Sequence, residues 1–205
     1  MKVSAQKHWL AHRQTRLEGG FQGRTNKLVD SCYSFWQGAA VAMIHVIERG
    51  GNDLTDAESL RSLVEDGGEE ERGEEDADMV VDTSASRHIR AVSDTNGPLD
   101  FNQEALQRYI LHCAQVNEGG LRDKPGKGRD YYHSCYSLSG LSVCQNFPSP
   151  SAPDSAPTAY VYGDPDNVLQ PTSMVYNIGV SALLHALALF SQLPCKHSSL
   201  LQGRS

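Results

Sequence analysis

Residues 19–38, GGFQGRTNKLVDSCYSFWQG, place an Asp-x-Cys pair, Asp30 and Cys32, between two cations, Arg24 and Lys27, and an aromatic cluster. Carboxylate and thiolate are donors of the kind a catalytic zinc ion takes, three from the protein with a fourth position left open. A third donor comes from a distance. Setting GGFQGRTNKLVDSCYSFW at Gly19 over GGLRDKPGKGRDYYHSCY at Gly119 pairs Gly19/Gly119, Gly20/Gly120, Phe21/Leu121, Arg24/Lys124, Lys27/Lys127, Asp30/Asp130, Ser34/Ser134 and Trp36/Tyr136 at a constant offset of 100. In that register Cys32 lies over Tyr132 and His133 over Tyr33, so Asp30, Cys32 and His133 all belong to the first turn of a helix. Stacked helical hairpins bring equivalent helix ends to one side, where the three can converge. Each also has a plainer role: Asp30 as a helix N-cap, Cys32 as a small buried apolar group, His133 as a hydrogen-bonded interior histidine. Spacing alone leaves both readings open.

The cations face the same choice. Arg24 and Lys27 of the first loop, and Lys124, Lys127 and Arg129 of the second, stand just ahead of helix N-termini. There the backbone N–H groups and the helix dipole favour an anion, and a diphosphate suits such a place. Ordinary loop charge, with Asp123 and Asp130 as partners, is the alternative. Tyr33, Phe35, Trp36, Tyr132 and Tyr136 are core by periodicity; beside a diphosphate they would wall a pocket for an apolar chain.

These residues need helices to hold them. Each repeat unit reads as helix, Gly-Gly turn, cationic loop, apolar helix. Helices are predicted over 2–13, from Asp30 to the stop at Gly50 and Gly51, over 103–116, 129–147 and 176–192. No stretch keeps the period-two alternation of a sheet, so the fold class is all-α. Two segments interrupt the order. Residues 51–84 carry thirteen of the chain's twenty-five acids and two of its eighteen bases. With its flank to 100, this is read as an acidic disordered insertion, a like-charge run that buries little. Residues 148–167 are read as a Pro/Ser-rich surface loop and 194–205 as a tail. Without the insertion the repeat period approaches that of helical arrays.

Composition sets limits. At 205 residues and 39% hydrophobic content the chain can support a real core. Outside the acidic run sixteen bases face twelve acids, a mild excess, and no nucleic-acid partner is expected. The start MKVSAQKHWL has no continuous apolar run, so no signal peptide is expected. The longest apolar stretch, Val180 to Phe190 with His185 inside, suits a core helix rather than a membrane span. Five cysteines without a CxxC fit free thiols in a reducing compartment, and the cytoplasm is the expected location.

GGFQGRTNKLVDSCYSFWQ, GGLRDKPGKGRDYYHSCYSLSGLS and LQPTSMVYNIG closely resemble the C-terminal half of protein farnesyltransferase β subunits, and the acidic insertion is similar to those of plant β subunits. The resemblance covers most of residues 8–192 outside the two interruptions. It implies a prenyltransferase-type α-α barrel, or toroid, of helical-hairpin repeats spanning 1–50 and 101–193. It implies pairing with a helical-repeat α subunit, and transfer of farnesyl from farnesyl diphosphate to the cysteine thiol of C-terminal CaaX proteins. By matching positions it makes Asp30, Cys32 and His133 zinc ligands. Arg24, Lys27, Tyr33 and Lys127 become diphosphate contacts, and Asp123 the carboxylate that binds magnesium. Trp36 and Tyr136 become walls of the isoprenoid pocket, Tyr136 at the end where bulk limits chain length, and Tyr132 a peptide contact. Aspartate at 123, where geranylgeranyl type I relatives carry lysine, favours the farnesyl type. Thr25 and Ser31 depart from the common Cys and Gly and are expected to carry no chemistry, and Ser173, where a histidine is common, is taken as a neutral departure. The family has about twice as many barrel helices, so the resemblance implies a partial toroid. Two readings follow: the C-terminal portion of a catalytic β subunit, or a non-catalytic module that binds the α subunit.

Overall fold

The structure, a computed structural model, describes residues 3–48, 100–147 and 161–193. The acidic insertion, residues 148–160 of the Pro/Ser-rich loop and the tail lie outside the described residues. Among the described residues the helices are α1 (Val3–Ala11), α2 (Tyr33–Glu48), α3 (Gln103–Tyr109), α4 (Tyr131–Asn146) and α5 (Val180–Ser191), with a 3-10 turn at Pro165–Asn167. No strand occurs among the described residues, in agreement with the all-α class. Helix boundaries differ from the sequence reading for local reasons. α2 starts at Tyr33, after Asp30 Oδ1 accepts the N–H of Cys32 at 3.0 Å in a side-chain-closed turn. α3 gives way to a π-helical turn, Ile110–Ala114, closed by the Gln115 N–H on the Ile110 carbonyl at 3.0 Å.

The repeat is visible in the backbone. Gln22 and Val29 bridge in the first unit, Arg122 and Arg129 in the second. The Asp30 N–H donates to Phe21 O at 3.1 Å and the Asp130 N–H to Leu121 O at 3.2 Å. Both turns pivot on a glycine with positive φ, Gly19 at 83° and Gly119 at 85°. A third copy of the turn, absent from the sequence reading, lies at 171–180. Here the Ser173 N–H donates to Ile178 O and Asn177 N–H to Ser173 O, both at 2.9 Å, as Thr15 N–H does to Gly20 O and Gly19 N–H to Thr15 O. Asn177, at φ 55°, stands where the other copies have glycine. Its turn delays the last helix to Val180 instead of 176.

α2 and α4, the second helices of the two units, pack against each other along their length. Gly140 makes this possible: a Cβ there would lie 2.5 Å from the backbone carbon of Ser34. Phe21, Phe101, Leu106, Ile110 and Val41 are fully buried in the core beneath, and Phe21 meets Phe101 edge-on at 5.2 Å. Val180 and Leu183 of α5 form a separate small cluster. No helix among the described residues is long and apolar enough to cross a membrane.

Lys7 of α1 joins the two ends between which the acidic insertion lies. Its Nζ sits 2.7 Å from Glu48 Oε2 and 2.8 Å from Asp100 Oδ2. Glu48 and Asp100 are thus held close to one another through Lys7. If the sequence reading of 51–100 as an acidic insertion that buries little holds, replacing residues 49–99 by a short Gly-Ser linker is expected to change Tm by less than about 2 °C. Thermal unfolding of the two chains checks this.

Candidate metal and anion site

The N-terminal ends of α2 and α4 carry the site. Asp30 and Cys32 precede the first turn of α2; His133 is the third residue of α4. One donor atom from each of Asp30, Cys32 and His133 lies within 4.8 Å of the others. The imidazole is aimed by a neighbour: His133 Nδ1–H donates to Asp130 Oδ2 at 2.6 Å, leaving Nε2 3.4 Å from Asp30 Oδ1. Nδ1 is taken by Asp130, so Nε2 is the ring nitrogen that faces Asp30 Oδ1 and, in the neutral ring, can ligate a cation there. Cys32 is 4% exposed. Burial, then its hydrogen-bonded neighbour Asp30, push its thiol up to about 12. A thiolate is stable there only if positive charge is supplied, so carboxylate, sulfur and imidazole together fit a zinc ion.

The sequence offered Asp130 as the repeat partner of Asp30 and as a possible charge partner of the loop cations, yet the structure gives it a separate task. It is the N-cap of α4, accepting the His133 N–H at 2.8 Å through Oδ1 while Oδ2 takes the ring. Hydrogen bonding by the His133 backbone and then its ring holds the Asp130 carboxyl below its ordinary value. The i, i+3 spacing of acid and histidine in a first helical turn is the signal that reveals such a pair. Carboxylate partners of metal-bound histidines are worth about 10–100-fold in metal affinity. Asp130→Ala is therefore expected to weaken zinc binding by that factor and Asp130→Asn by less, measured by competition with a chromogenic chelator.

Beside the three donors opens a cleft of about 740 Å³ lined by Gly23, Arg24, Asn26, Lys27, Leu28, Asp30, Tyr33 and Lys124. Cations from both loops meet in it. Arg13 braces the first loop, donating from Nη1 to Thr25 Oγ1 at 2.7 Å, so Thr25 serves that support. Tyr33 covers Gly23, where any Cβ would strike its ring. Lys127 is exposed and does not line this cleft. Arg129 turns back on its own loop, donating to the carbonyls of Glu118 and Gly119. Lys124 pairs with Asp123 Oδ2, while Asp123 Oδ1 is buried and has no hydrogen-bond partner among the described residues. A carboxylate oxygen in that state fits a hard cation such as magnesium beside the anion cleft.

The aromatic residues continue the same face. Trp36 and Tyr136 ring centres are 4.6 Å apart, Tyr132 and Tyr136 4.8 Å, and Trp36 Nε1–H donates to the Tyr132 hydroxyl at 3.3 Å. Trp36 and Tyr132 remain 45% and 49% exposed, an apolar wall open to one side. Ser173 caps the third turn, its Oγ accepting the N–H groups of Val175 and Tyr176 at 3.3 Å each. The site is thus a mixed carboxylate, sulfur and imidazole donor set, a cationic cleft and an aromatic wall side by side.

Comparison with known proteins gives a consistent picture. The family model described as "Prenyltransferase alpha-alpha toroid domain" matches residues 1–178. The chain is 42% identical to a protein farnesyltransferase subunit beta from Pisum sativum over 90% of its own length and 48% of the relative's. It is 34% identical to the Arabidopsis thaliana protein of the same name, over 89% and 41%. A geranylgeranyl transferase type-1 subunit beta from Arabidopsis thaliana is 46% identical over 67% of this chain and 23% of its own. The chain spans about half the length of the first two relatives.

Proposed function

The chain belongs to the prenyltransferase alpha-alpha toroid family, and from that premise we propose that it acts as the β-subunit portion of a zinc-dependent protein farnesyltransferase. It would work with a prenyltransferase α subunit in the cytoplasm, transferring farnesyl from farnesyl diphosphate to the cysteine of CaaX proteins. The observation that carries this proposal is the meeting of Asp30, Cys32 and His133 donor atoms within 4.8 Å, at the edge of a cleft lined by Arg24, Lys27 and Lys124. In this reading Asp30, Cys32 and His133 hold zinc, which supplies positive charge that keeps an incoming thiol as thiolate near neutral pH. Asp130 keeps the His133 Nδ1 proton and so keeps Nε2 free to ligate. Arg24 and Lys27, with Lys124, bind the diphosphate and stabilise the charge that grows on it as its bond to the prenyl carbon breaks. Tyr33 adds a hydroxyl to that cleft, and Lys127 a cation at its approach. Asp123 would hold magnesium through its unpartnered oxygen. Trp36, Tyr132 and Tyr136 line the way for the isoprenoid and the peptide, with Tyr136 limiting chain length.

Co-expression with a prenyltransferase α subunit tests this reading. Expected are about one zinc per chain and transfer of labelled farnesyl to a CaaX peptide; zinc binding without transfer would favour a non-catalytic α-binding module. The 46% identity to the geranylgeranyl transferase type-1 relative supports a second donor choice. Against it stand Asp123 and the bulk of Tyr136. Presenting both diphosphates in one assay decides: farnesyl is expected to be preferred by at least about tenfold, the lower end of what a difference in apolar length is worth in a hydrophobic pocket.

A further inference from the structure

Between the two proposed ligands Asp30 and Cys32 sits Ser31, 0% exposed. Its N–H donates to the Asp123 carbonyl at 2.9 Å, and its Oγ donates to the Arg122 carbonyl at 2.7 Å. The same Oγ accepts from Ser137 Oγ of α4, also fully buried, at 2.8 Å. Tyr109 adds its hydroxyl to the Asp123 carbonyl at 3.2 Å. Two consecutive carbonyls of the second loop are thus held from the first unit, α3 and α4 at once. These carbonyls directly precede Lys124, the second loop's contribution to the cleft. The contact is not a generic feature of the repeat: Tyr131, the register partner of Ser31, is 96% exposed.

We propose that Ser31, locked by Ser137, is a positioning residue that fixes Asp123 and Lys124 relative to the metal ligands, so that cation cleft and metal site keep one spacing. It acts through the loop backbone and touches neither metal nor anion. The hydroxyl pair is directional. Ser137 donates to Ser31, which frees the Ser31 proton for Arg122 O; removing either hydroxyl unbalances the other. This inference rests on the diphosphate reading of the cleft, and its test separates the two.

The test uses Ser31→Ala and Ser137→Ala in the full chain, with inorganic pyrophosphate as probe, zinc affinity, and hydrogen exchange of the 119–130 backbone. Both variants are expected to exchange faster at 119–130 and bind pyrophosphate roughly five- to tenfold more weakly, the loss of about one buried hydrogen bond. Zinc affinity is expected to stay within about twofold, since no ligand or ligand partner is altered. The double variant is expected to lose no more than Ser31→Ala alone, because the two hydroxyls act as a unit, and Ser31→Thr, which keeps a hydroxyl, to regain part of the affinity. Should Ser31→Ala fail to fold, Ser137→Ala, which leaves the Ser31 backbone contact intact, carries the test. Exchange at 119–130 unchanged from the parent in the folded variants overturns the proposal, as does unchanged pyrophosphate affinity in a parent that binds it. If the parent binds no pyrophosphate, the diphosphate reading fails, while altered exchange would still establish the clasp.

Discussion

Cys32→Ala is expected to lower zinc affinity by well over a hundredfold, beyond the range of an outer partner's loss, and to abolish prenyl transfer, while the chain stays folded. Cys32 supplies the only sulfur in the cluster with Asp30 and His133. Without it two donors remain, one short of the three a catalytic zinc site uses. The thiol is small and buried, so removing one sulfur leaves a minor cavity, costing about 1 kcal/mol at most. Metal analysis of the purified chain, with circular dichroism as a check on folding, measures both effects. Retained zinc in the alanine variant would sink the ligand assignment.

Gly140→Ala is expected to destabilise the fold by about 2 kcal/mol, the middle of the range for forced overpacking. In a chain of this size that lowers Tm by roughly 4–8 °C. The added methyl meets backbone, with Ser34 C at 2.5 Å and Phe35 N at 2.7 Å, and no side chain can swing aside to admit it. Because α2 carries Cys32 at its start and α4 carries His133, separating the helices also separates the ligands. A joint loss of Tm and zinc affinity is therefore expected, unlike Cys32→Ala, which costs metal far more than stability. Differential scanning calorimetry beside chelator competition distinguishes the two; a Tm unchanged by the methyl would show that the helices do not approach this closely.

The repeat made much of this legible. Gly19 and Gly119 both take positive φ, and glycine is the residue that does so without strain, so the turns could be read from Gly-Gly alone. The offset placed Asp30, Cys32 and His133 on equivalent helix starts but left a plainer role open for each, and only the family resemblance turned the three into a ligand set. The third turn was hidden because Asn177 does the work of the glycine and the segment PTSMVYN shows no paired glycines. Ser31 and Ser137 were hidden for another reason. Serine is mostly a surface residue, and only three-dimensional contact shows two of them buried against each other and against a loop ninety residues away in the chain. Lys127 and Arg129 illustrate the opposite limit: register put them beside Lys124, but the backbone of the second loop turns one to solvent and the other onto its own carbonyls. Charge in a loop is readable from sequence; its direction is not.

Zinc-edge X-ray absorption of the zinc-loaded chain reads the ligand set at the metal itself. One sulfur at about 2.3 Å with nitrogen and oxygen neighbours at about 2.0–2.2 Å is expected. The sulfur shell should vanish in Cys32→Ser and the imidazole signal in His133→Ala. A spectrum with no sulfur neighbour, or one unchanged by either substitution, would contradict the account.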